Sequence, residues 1–563
     1  MDEFYERILK RILEQRVLGN LVKQSLGWLC YSKRPLAACE LESGLSYDRS
    51  LEAPKINQIL SACRPLVTEY DGSVQFVHFS FKQYLEDKKE GESFGWLLET
   101  LPAITDACLK CLCDVKNRWR PQINAPRSNR FIRFPFSQHA ADHWGHYAGE
   151  ALPHDKSGSL GQDIEDILLT EDFVAASGRL MSPIYSVNDH WPFPSVNDLD
   201  LHGAPDAMHL VAYFGLHTLI PKLISKGIES TPYPEPDGMR TPLAWAARYG
   251  HRQCVRELAR NYPDHINCKD RQGLTPLSWA AINGHEDVIR ELARSPRLDA
   301  ACRDDEGRTA ISFAAEFGYT WIVEFLGNLD DSVVDASDDD DLTPLYWAAY
   351  GNHLDTVKLL IEQFEVQATL NTLLVHTIES DSVAIARYLI KGRRVNPFAV
   401  HESGEIPFLV AVERGNKDIV EIMDRQWNIG KSSQEFHIRR QMRKEIYGSA
   451  LLTAIAPDIP PIFNYTHQQW LIQTLLPKAD VNYTGSNGRT PLIAASANGS
   501  RAVVEMLLKD PNINVNKTDE TQKSAWLYAQ ENNDLSVMEM LQNRGAIVQV
   551  DLKEIYSRFF TPK

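Results

Sequence analysis

The residues that could carry out chemistry fall into short, separate groups, and two of these imitate catalytic motifs. Gly91–Gly95 reads GESFG and matches the G-x-S-x-G pattern of a nucleophile elbow. That elbow needs a buried strand before its serine, whereas Ser93 follows the charged stretch YLEDKKE. Gly430–Ser432 reads GKS and matches the end of a phosphate-binding loop, but Arg425 occupies the position where that loop needs its first glycine. We therefore expect a surface turn at the first motif and no nucleotide binding at the second.

Two further groups have the chemistry of metal ligands. Three cysteines lie in TDACLKCLCDV, an apolar helical pattern in which cysteine behaves as a small hydrophobic residue: Cys108, Cys111 and Cys113. Three histidines at i, i+4 and i+7 share one helical face and could bind a transition metal: His139, His143 and His146. Zinc needs four ligands, and no carboxylate partner is identifiable here. We predict structural roles for both groups, with no metal and no cofactor.

Two charged runs offer surfaces to partners of opposite charge. DASDDDD, residues 335–341, lacks the central glycine and closing glutamate of a calcium loop and falls where a hairpin tip is expected. FHIRRQMRKEIY, residues 436–447, is basic and partly amphipathic. A solvated surface is the first interpretation of each. Contact with a basic partner is the alternative for the acidic run, and partner docking or a nuclear-import signal is the alternative for the basic run.

Composition and charge exclude several classes of protein. The 563 residues carry a formal net charge of −16, which argues against general binding to nucleic acid or to an anionic membrane. Nine cysteines are too dilute for a disulfide framework, so we expect reduced thiols in the cytoplasm, with the nucleus as the alternative. No apolar run approaches the roughly 20 residues of a membrane span. The start, MDEFYERILKRILEQR, lacks the apolar core of a secretion signal.

A self-similar block recurs along the chain from residue 240 onward. It reads RTPLAWAARYGH from Arg240, LTPLSWAAINGH from Leu274, RTAISFAAEFGY from Arg308 and LTPLYWAAYGNH from Leu342, in steps of 34 residues. The threonine hydroxyl can cap free helical amides, proline suits the first helical position, and the glycine ends the helix in a left-handed conformation. A second helix and an Asp/Gly-rich hairpin follow. Because one unit cannot bury its own apolar face, the copies must stack.

This block resembles the ankyrin repeat. A further full match, GRTPLIAASANGS, starts at Gly488, and weaker copies start at Asp206, Thr372, Glu405, Ser449 and Lys523. The resemblance implies an array of about ten repeats over residues 203–549, followed by a tail over 550–563. We expect degenerate repeats near 368–400 and 430–480, with insertions around 428–447 and 457–468.

Residues 1–90 have a different pattern. A helix over about 2–18 leads to QSLGWLCYSKRPLAACELESGLS, which reads helix, turn, helix. SVQFVHF alternates like a strand and follows the hairpin-turn pair Asp71-Gly72. Helices followed by a small hairpin predict a winged-helix (α+β) module over 1–90. Residues 91–200 read as a helical connector, with a Pro-rich linker at 189–198.

This N-terminal part resembles the winged-helix segment of fungal NACHT–ankyrin proteins, which are relatives of NOD-like receptors. The resemblance rests on YERILKRI, WLCYSKRPL and VQFVHFSFKQYL, and PFSQHAADHWGHYAGE at 135–150 is similar to the helical stretch before the ankyrin array in that family. The family's NACHT ATPase does not precede residue 1 of this sequence. We therefore expect no oligomerisation driven by nucleotide exchange.

The ankyrin resemblance implies a concave face formed by hairpin tips and by the ends of the first helices. Exposed aromatic and arginine side chains are the usual hot-spot types in protein interfaces. At the helix ends we predict partner-binding roles for Tyr213, Phe214, Arg248, Tyr249, Ile282, Asn283, Glu316, Phe317 and Tyr350. At the tips we predict such roles for Arg240, Arg271, Asp305, Arg308 and Asp339. The alternative is that some of the aromatic side chains merely seal helix ends.

Four aromatic residues occupy one position of the block at 34-residue steps: Trp245, Trp279, Phe313 and Trp347. In the commoner ankyrin form a leucine fills this position and belongs to the core between repeats. The resemblance therefore implies a buried aromatic ladder rather than a cofactor site.

The sequence thus predicts a mainly α fold, an ankyrin-repeat solenoid preceded by a winged-helix module and a helical connector. The leading hypothesis is a non-enzymatic protein-interaction scaffold that binds other proteins. The first alternative is a nuclear DNA- or chromatin-associated regulator that uses the winged helix, although a glutamate-rich helix such as ACELESGL would repel phosphate. The second is an unorthodox enzyme with a pocket between connector and solenoid.

Overall fold

The computed structural model describes residues 2–14, 18–48, 51, 53–89, 91, 94–119, 136–155, 158–170, 173–174, 206–228, 240–366, 370–392, 394–400, 405–427, 435–455 and 465–548. Ser93, Gly430–Ser432, the 189–198 linker and the 550–563 tail lie outside these residues. The chain divides into two compact units. The first comprises Met1–Ala314 and Trp321–Asp341, and the second comprises Ala315–Thr320 and Leu342–Lys563.

The first unit opens with helices around a small sheet. The helices are α1 (Asp2–Leu13), α2 (Gly19–Tyr31), α3 (Ala38–Ser46), α4 (Ile56–Cys63) and α5 (Phe79–Lys88). The strands are β1 (Leu36–Ala37), β2 (Val67–Tyr70) and β3 (Ser73–Phe76), all antiparallel in the order β1-β3-β2. The predicted hairpin is confirmed, since Tyr70 pairs with Ser73 and both turn residues, Asp71 and Gly72, have positive φ. The predicted first helix is shorter than expected and ends at Leu13.

Three helices follow: α6 (Gly95–Trp119), α7 (Ser137–Ala151) and α8 (Ser159–Leu168). Helix α6 packs along α7 and also contacts α2. The aromatic core at this junction includes Trp28 and Phe136, whose ring centroids lie 5.2 Å apart, edge to face. The connector is thus part of the same packed body as the N-terminal helices.

From residue 207 onward the described chain consists of helix pairs. Those that begin in the first unit are α9 (Ala207–Phe214) with α10 (Ile220–Ser225), α11 (Pro242–Arg248) with α12 (Arg252–Asn261), α13 (Pro276–Ile282) with α14 (Glu286–Leu292), and α15 (Ala310–Glu316) with α16 (Thr320–Leu329). The first helices of successive pairs pack on one another, α9 against α11 and α11 against α13.

The second unit continues the same arrangement. Its helices are α17 (Pro344–Tyr350), α18 (Leu354–Glu362), α19 (Leu370–Glu379), α20 (Val383–Lys391), α21 (Pro407–Glu413), α22 (Lys417–Trp427), α23 (Glu435–Ile455), α24 (Tyr465–Leu475), α25 (Pro491–Ala497), α26 (Arg501–Leu508), α27 (Ala525–Glu531) and α28 (Leu535–Asn543). The described residues therefore contain ten helix pairs, α9–α10 through α27–α28. The basic run 436–447 lies inside α23.

The repeated Thr-Pro and Gly positions form the helix ends as the sequence predicts. Thr241 and Thr275 each accept a hydrogen bond from the backbone N–H three residues on, at 3.2 Å. Gly250 and Gly284 end their helices with φ of 74° and 72°, which a β-carbon would strain. In the LTPLYWAAYGNH block the left-handed position falls instead on Asn352, with φ 60°.

The histidine after each glycine joins neighbouring repeats. The His251 Nε2–H donates to the carbonyl oxygen of Tyr213 at 2.9 Å, and the His285 Nε2–H donates to that of Arg248 at 2.8 Å. Both carbonyls lie near the C-terminal end of a first helix, where no intrahelical donor is available. Each of these two histidines therefore satisfies a partly buried acceptor and joins its repeat to the preceding one.

Candidate functional site

The candidate site is a pocket beside two successive hairpin tips of the first unit. Its volume is about 490 Å³, within the range of ligand-binding clefts. Its lining includes five of the residues predicted to bind a partner: Arg248, Arg271, Ile282, Asn283 and Asp305. The structure thus brings helix-end and tip residues from three consecutive repeats around one opening.

The floor of this pocket is aromatic and apolar. Leu274, Trp279 and Phe313 line it and also form a buried cluster with Ala244, against which Ile282 packs. Trp279 and Phe313 are two of the predicted ladder positions, and both side chains are buried, as is that of Trp245. These side chains therefore hold the repeats together and supply apolar surface to the pocket.

A buried carboxylate, Asp270, organises the wall beside this floor. Its Oδ2 accepts hydrogen bonds from the indole Nε1–H of Trp279 at 2.9 Å and from Nε of Arg240 at 3.1 Å. Its Oδ1 accepts the backbone N–H groups of Gln272 and Leu274, both at 3.0 Å. Four donors satisfy the carboxylate, which makes its burial tolerable and fixes the tip of this hairpin.

The prediction that Arg240 is an exposed tip residue is wrong. Its side chain is 9% exposed, because it pairs with Asp270 and its guanidinium lies 4.0 Å from the centroid of the Trp279 ring. Burial lowers the pKa of Arg240 to about 10; the nearby Arg248 also lowers it, and Asp270 opposes the shift. Arg240 therefore belongs to the framework beneath the pocket.

The predictions of exposed roles for Phe214 and Arg308 are also wrong. Phe214 is 4% exposed, because its ring packs edge to face on Trp144 of α7 with the centroids 5.0 Å apart. Arg308 is 8% exposed, and its guanidinium lies 4.0 Å from the centroid of the Phe313 ring. Both residues sit where an aromatic ring from another element covers them.

Arg248 and two tyrosines form the accessible edge of the site. The Arg248 guanidinium lies 4.5 Å from the Trp279 ring centroid and 5.8 Å from that of Tyr249. Tyr249 is 38% exposed, and its ring meets that of the half-buried Tyr213 edge to face at 4.8 Å. An arginine held over aromatic faces is ordered before any partner arrives, so less entropy is lost on binding.

The remaining predicted residues lie outside the pocket. Asp339 is exposed at the next tip of the first unit, and in the second unit Glu316 is half-buried while Phe317 and Tyr350 are 46% and 56% exposed. The prediction that Trp347 is buried is wrong, since its side chain is half-buried. In the following repeat the His376 ring lies against the two neighbouring tyrosines, 4.5 Å from the ring of Tyr346 and 5.9 Å from that of Tyr350.

Sequence reasoning missed the role of Asp270, although the spacing carries a signal. Arg240 precedes Asp270 by 30 residues, and Trp279 follows it by nine. The same spacings join Arg489, Asp519 and Tyr528, where the Tyr528 hydroxyl donates to Asp519 at 2.7 Å and Arg489 lies 3.9 Å from the carboxylate. A search of the sequence for an arginine, an aspartate 30 residues later and a tryptophan or tyrosine nine residues after that would have found both networks.

The histidine and cysteine groups occupy packed helices. The ring centroids of His139 and His143 lie 4.6 Å apart, and His139 Nε2 lies 2.8 Å from the Tyr147 hydroxyl. Burial lowers the pKa of His143 and of His146 to about 4, and it also lowers the pKa of His139 well below its usual range. Cys108 and Cys111 are buried in α6, and burial raises the pKa of Cys111 to about 12. Across the described ranges no cluster of these residue types has the arrangement of a metal site.

The charged runs have mixed environments. Within DASDDDD, Asp338 is buried and its Oδ1 accepts the Asp340 N–H at 3.1 Å, while Asp339 to Asp341 are exposed. In the basic run, Tyr447 is buried and its hydroxyl donates to Asp424 at 2.5 Å. The solvated interpretation therefore holds for most of the acidic tip but not for the end of the basic run.

The helices described here include none with both the length and the apolar character needed to cross a bilayer. Comparison with family models gives a match to "Ankyrin repeats (3 copies)" in four overlapping or separate segments: 208–299, 263–336, 296–370 and 464–551. No curated protein sequence matches the chain significantly.

The matched segments contain the pocket residues, the Thr-Pro caps and the Gly-His turns described above. Ankyrin repeats generally serve as protein-interaction modules rather than as enzymes. The chain is thus a mostly helical protein that carries ankyrin repeats over residues 208–370 and 464–551.

Proposed function

We propose that this protein is a non-enzymatic scaffold that binds a protein partner on the hairpin tips and first-helix ends of its ankyrin repeats. The pocket lined by Arg248, Arg271, Ile282, Asn283 and Asp305 carries this proposal. The floor of this pocket is aromatic and its rim is charged and accessible, which is the arrangement of an interface hot spot surrounded by polar groups. Tyr249, exposed beside it, extends the aromatic surface.

The test is affinity capture by the full chain and by variants changed only at exposed positions. The reversal Arg271→Glu combined with Asp305→Lys should remove the main captured partner, whereas the reversal Arg260→Glu on α12 should not. Arg260 is 71% exposed and does not line the pocket, so it controls for charge alone. Equal capture by all three chains would overturn the proposal.

Domain boundaries at 1–90, 91–200, 203–549 and 550–563 remain our proposal. The order α2, β1, α3, α4, β2, β3 with the sheet order β1-β3-β2 supports a winged-helix module at the N-terminus. The proposed relationship to fungal NACHT–ankyrin proteins rests on the sequence resemblance. We propose that this module makes protein contacts, in a cytoplasmic protein.

DNA binding by that module is the second candidate, and the same element order favours it. The helix that leads into the hairpin is α4, INQILSAC, rather than the glutamate-rich α3. Helix α4 contains no lysine or arginine, whereas a helix that enters a DNA groove needs cations for the phosphates. A salt-dependent shift of duplex DNA by the full chain would favour this candidate over protein contacts.

A further inference from the structure

Two successive tips present opposite charges at the same position of the repeat. Arg271 and Asp305 are separated by one 34-residue step, both are exposed, and both line the pocket. Glu306 adds a second exposed carboxylate to that of Asp305, and Arg248 adds a second guanidinium to that of Arg271 in the pocket lining. The pocket therefore has a positive end and a negative end along the direction in which the repeats stack.

The backbone fixes the separation between these two ends. The Asp305 N–H donates to the Gln272 carbonyl oxygen at 3.1 Å, which joins one tip to the next. Gly273 has φ 73°, and a β-carbon there would lie 2.6 Å from the Asp305 nitrogen, so the tips meet too closely for any side chain at this position.

Each tip is also held internally by a buried or half-buried aspartate. Asp270 Oδ1 binds the N–H groups of Gln272 and Leu274 at 3.0 Å, and Asp304 Oδ1 binds those of Glu306 and Arg308 at 3.0 and 2.7 Å. Both carboxylates are used within their turns, and the exposed Arg271, Asp305 and Glu306 of the same two tips line the pocket. Charges held by such turns are ordered before binding.

We propose that this pocket binds an extended peptide segment in which an apolar side chain stands between an acidic and a basic residue. This inference rests on the proposed scaffold function and specifies the partner's chemistry. The apolar side chain would lie on Trp279 and Phe313, the acidic one beside Arg248 and Arg271, and the basic one beside Asp305 and Glu306. Nucleic acid fits less well, because its phosphates would meet the acidic end.

The probes are four fluorescent peptides with blocked ends and a central leucine. An extended chain advances about 3.3–3.6 Å per residue, so the flanking positions lie two residues to either side of the leucine. One peptide carries glutamate and lysine there, and the others carry two glutamates, two lysines or two glutamines. Binding to the full chain is measured by fluorescence anisotropy at low salt. The mixed-charge peptide should bind the most tightly, by up to about fivefold for each matched charge, as for an exposed ion pair.

Charge reversal at each end makes the assignment specific. Arg271→Glu should transfer the preference to the two-lysine peptide, and Asp305→Lys should transfer it to the two-glutamate peptide. Arg260→Glu should leave the order of affinities unchanged. Circular dichroism checks the fold of each variant. If a reversal does not fold, Arg271→Gln or Asp305→Asn, which removes the charge without reversing it, replaces the reversal at the same residue.

The inference is overturned if the four peptides bind equally, if none binds, or if the reversals leave the order of affinities unchanged. Failure of the scaffold proposal would give a different result. The double reversal, Arg271→Glu with Asp305→Lys, would then leave protein capture unaffected, whichever peptides bind. If protein capture depends on the two tips but the four peptides bind equally, the scaffold proposal stands and the mixed-charge specificity is rejected.

Discussion

The indole Nε1–H of Trp279 donates to Oδ2 of Asp270 at 2.9 Å, nine residues earlier in the same repeat. The tryptophan of this position is therefore both core and hydrogen-bond donor. A leucine or phenylalanine has no donor for this carboxylate. At residue 279 this accounts for a tryptophan at the position that ankyrin repeats more commonly give to leucine.

Replacing Trp279 should separate these two roles. We expect Trp279→Phe to lower the free energy of unfolding by about 1–3 kcal/mol, because a buried charged acceptor loses a donor. Trp279→Ala should cost about 3–5 kcal/mol, since the core also loses a large side chain. Urea unfolding followed by circular dichroism measures both. Full stability with loss of binding in the alanine variant would instead make the residue part of the binding site.

Neutralising Asp270 should be more costly than neutralising its counterpart Asp519. In Asp270→Asn the buried guanidinium of Arg240 loses its compensating charge, and we expect a loss of about 3–5 kcal/mol. Asp519→Asn should destabilise less, because the side chain of Arg489 is 39% exposed and water can replace its partner. Parallel urea titrations compare the two, and a larger effect at Asp519 would contradict this account of the networks.

Stability should fall on acidification because of the histidines of α7. Their folded-state pKa is lowered, to about 4 for His143 and His146, so the unfolded chain binds protons first as the pH drops below about 6.5. The contribution is complete above pH 6.5 and is lost as the pH falls toward 4, with a slope of up to about 1.4 kcal/mol per pH unit for each imidazole. Thermal melts across this range measure it. His143→Gln should reduce the slope, and an unchanged slope would show that His143 does not titrate in this way.

Phe214 and Tyr249 should give opposite results, although the sequence assigns both to the binding face. Phe214→Ala removes the ring packed on Trp144 and should cost about 3–5 kcal/mol of stability. Tyr249→Ala should leave the unfolding midpoint nearly unchanged but weaken capture of the partner, because its ring is accessible beside Arg248. Melting curves and capture yields together check the pair, and weakened capture without destabilisation in Phe214→Ala would reverse the assignment.

The sequence predicts the repeat architecture well because its determinants are local. Thr275 caps its own helix and Gly284 ends it, so the 34-residue pattern shows where each helix begins and ends. The burial of Phe214, Arg240 and Arg308 could not be predicted in this way. Each is covered by an aromatic ring, from α7 for Phe214 and from the repeat framework for the arginines, and a repeat pattern does not specify which ring lies over which side chain.

The hydrogen bond from His285 to the Arg248 carbonyl, like that from His251 to Tyr213, crosses from one repeat to the one before it. Under tension along these repeats, such bonds are loaded in series, so each carries the whole force and they rupture one at a time. Pulling on this part of the chain would therefore lengthen it in steps, each limited to about one 34-residue repeat.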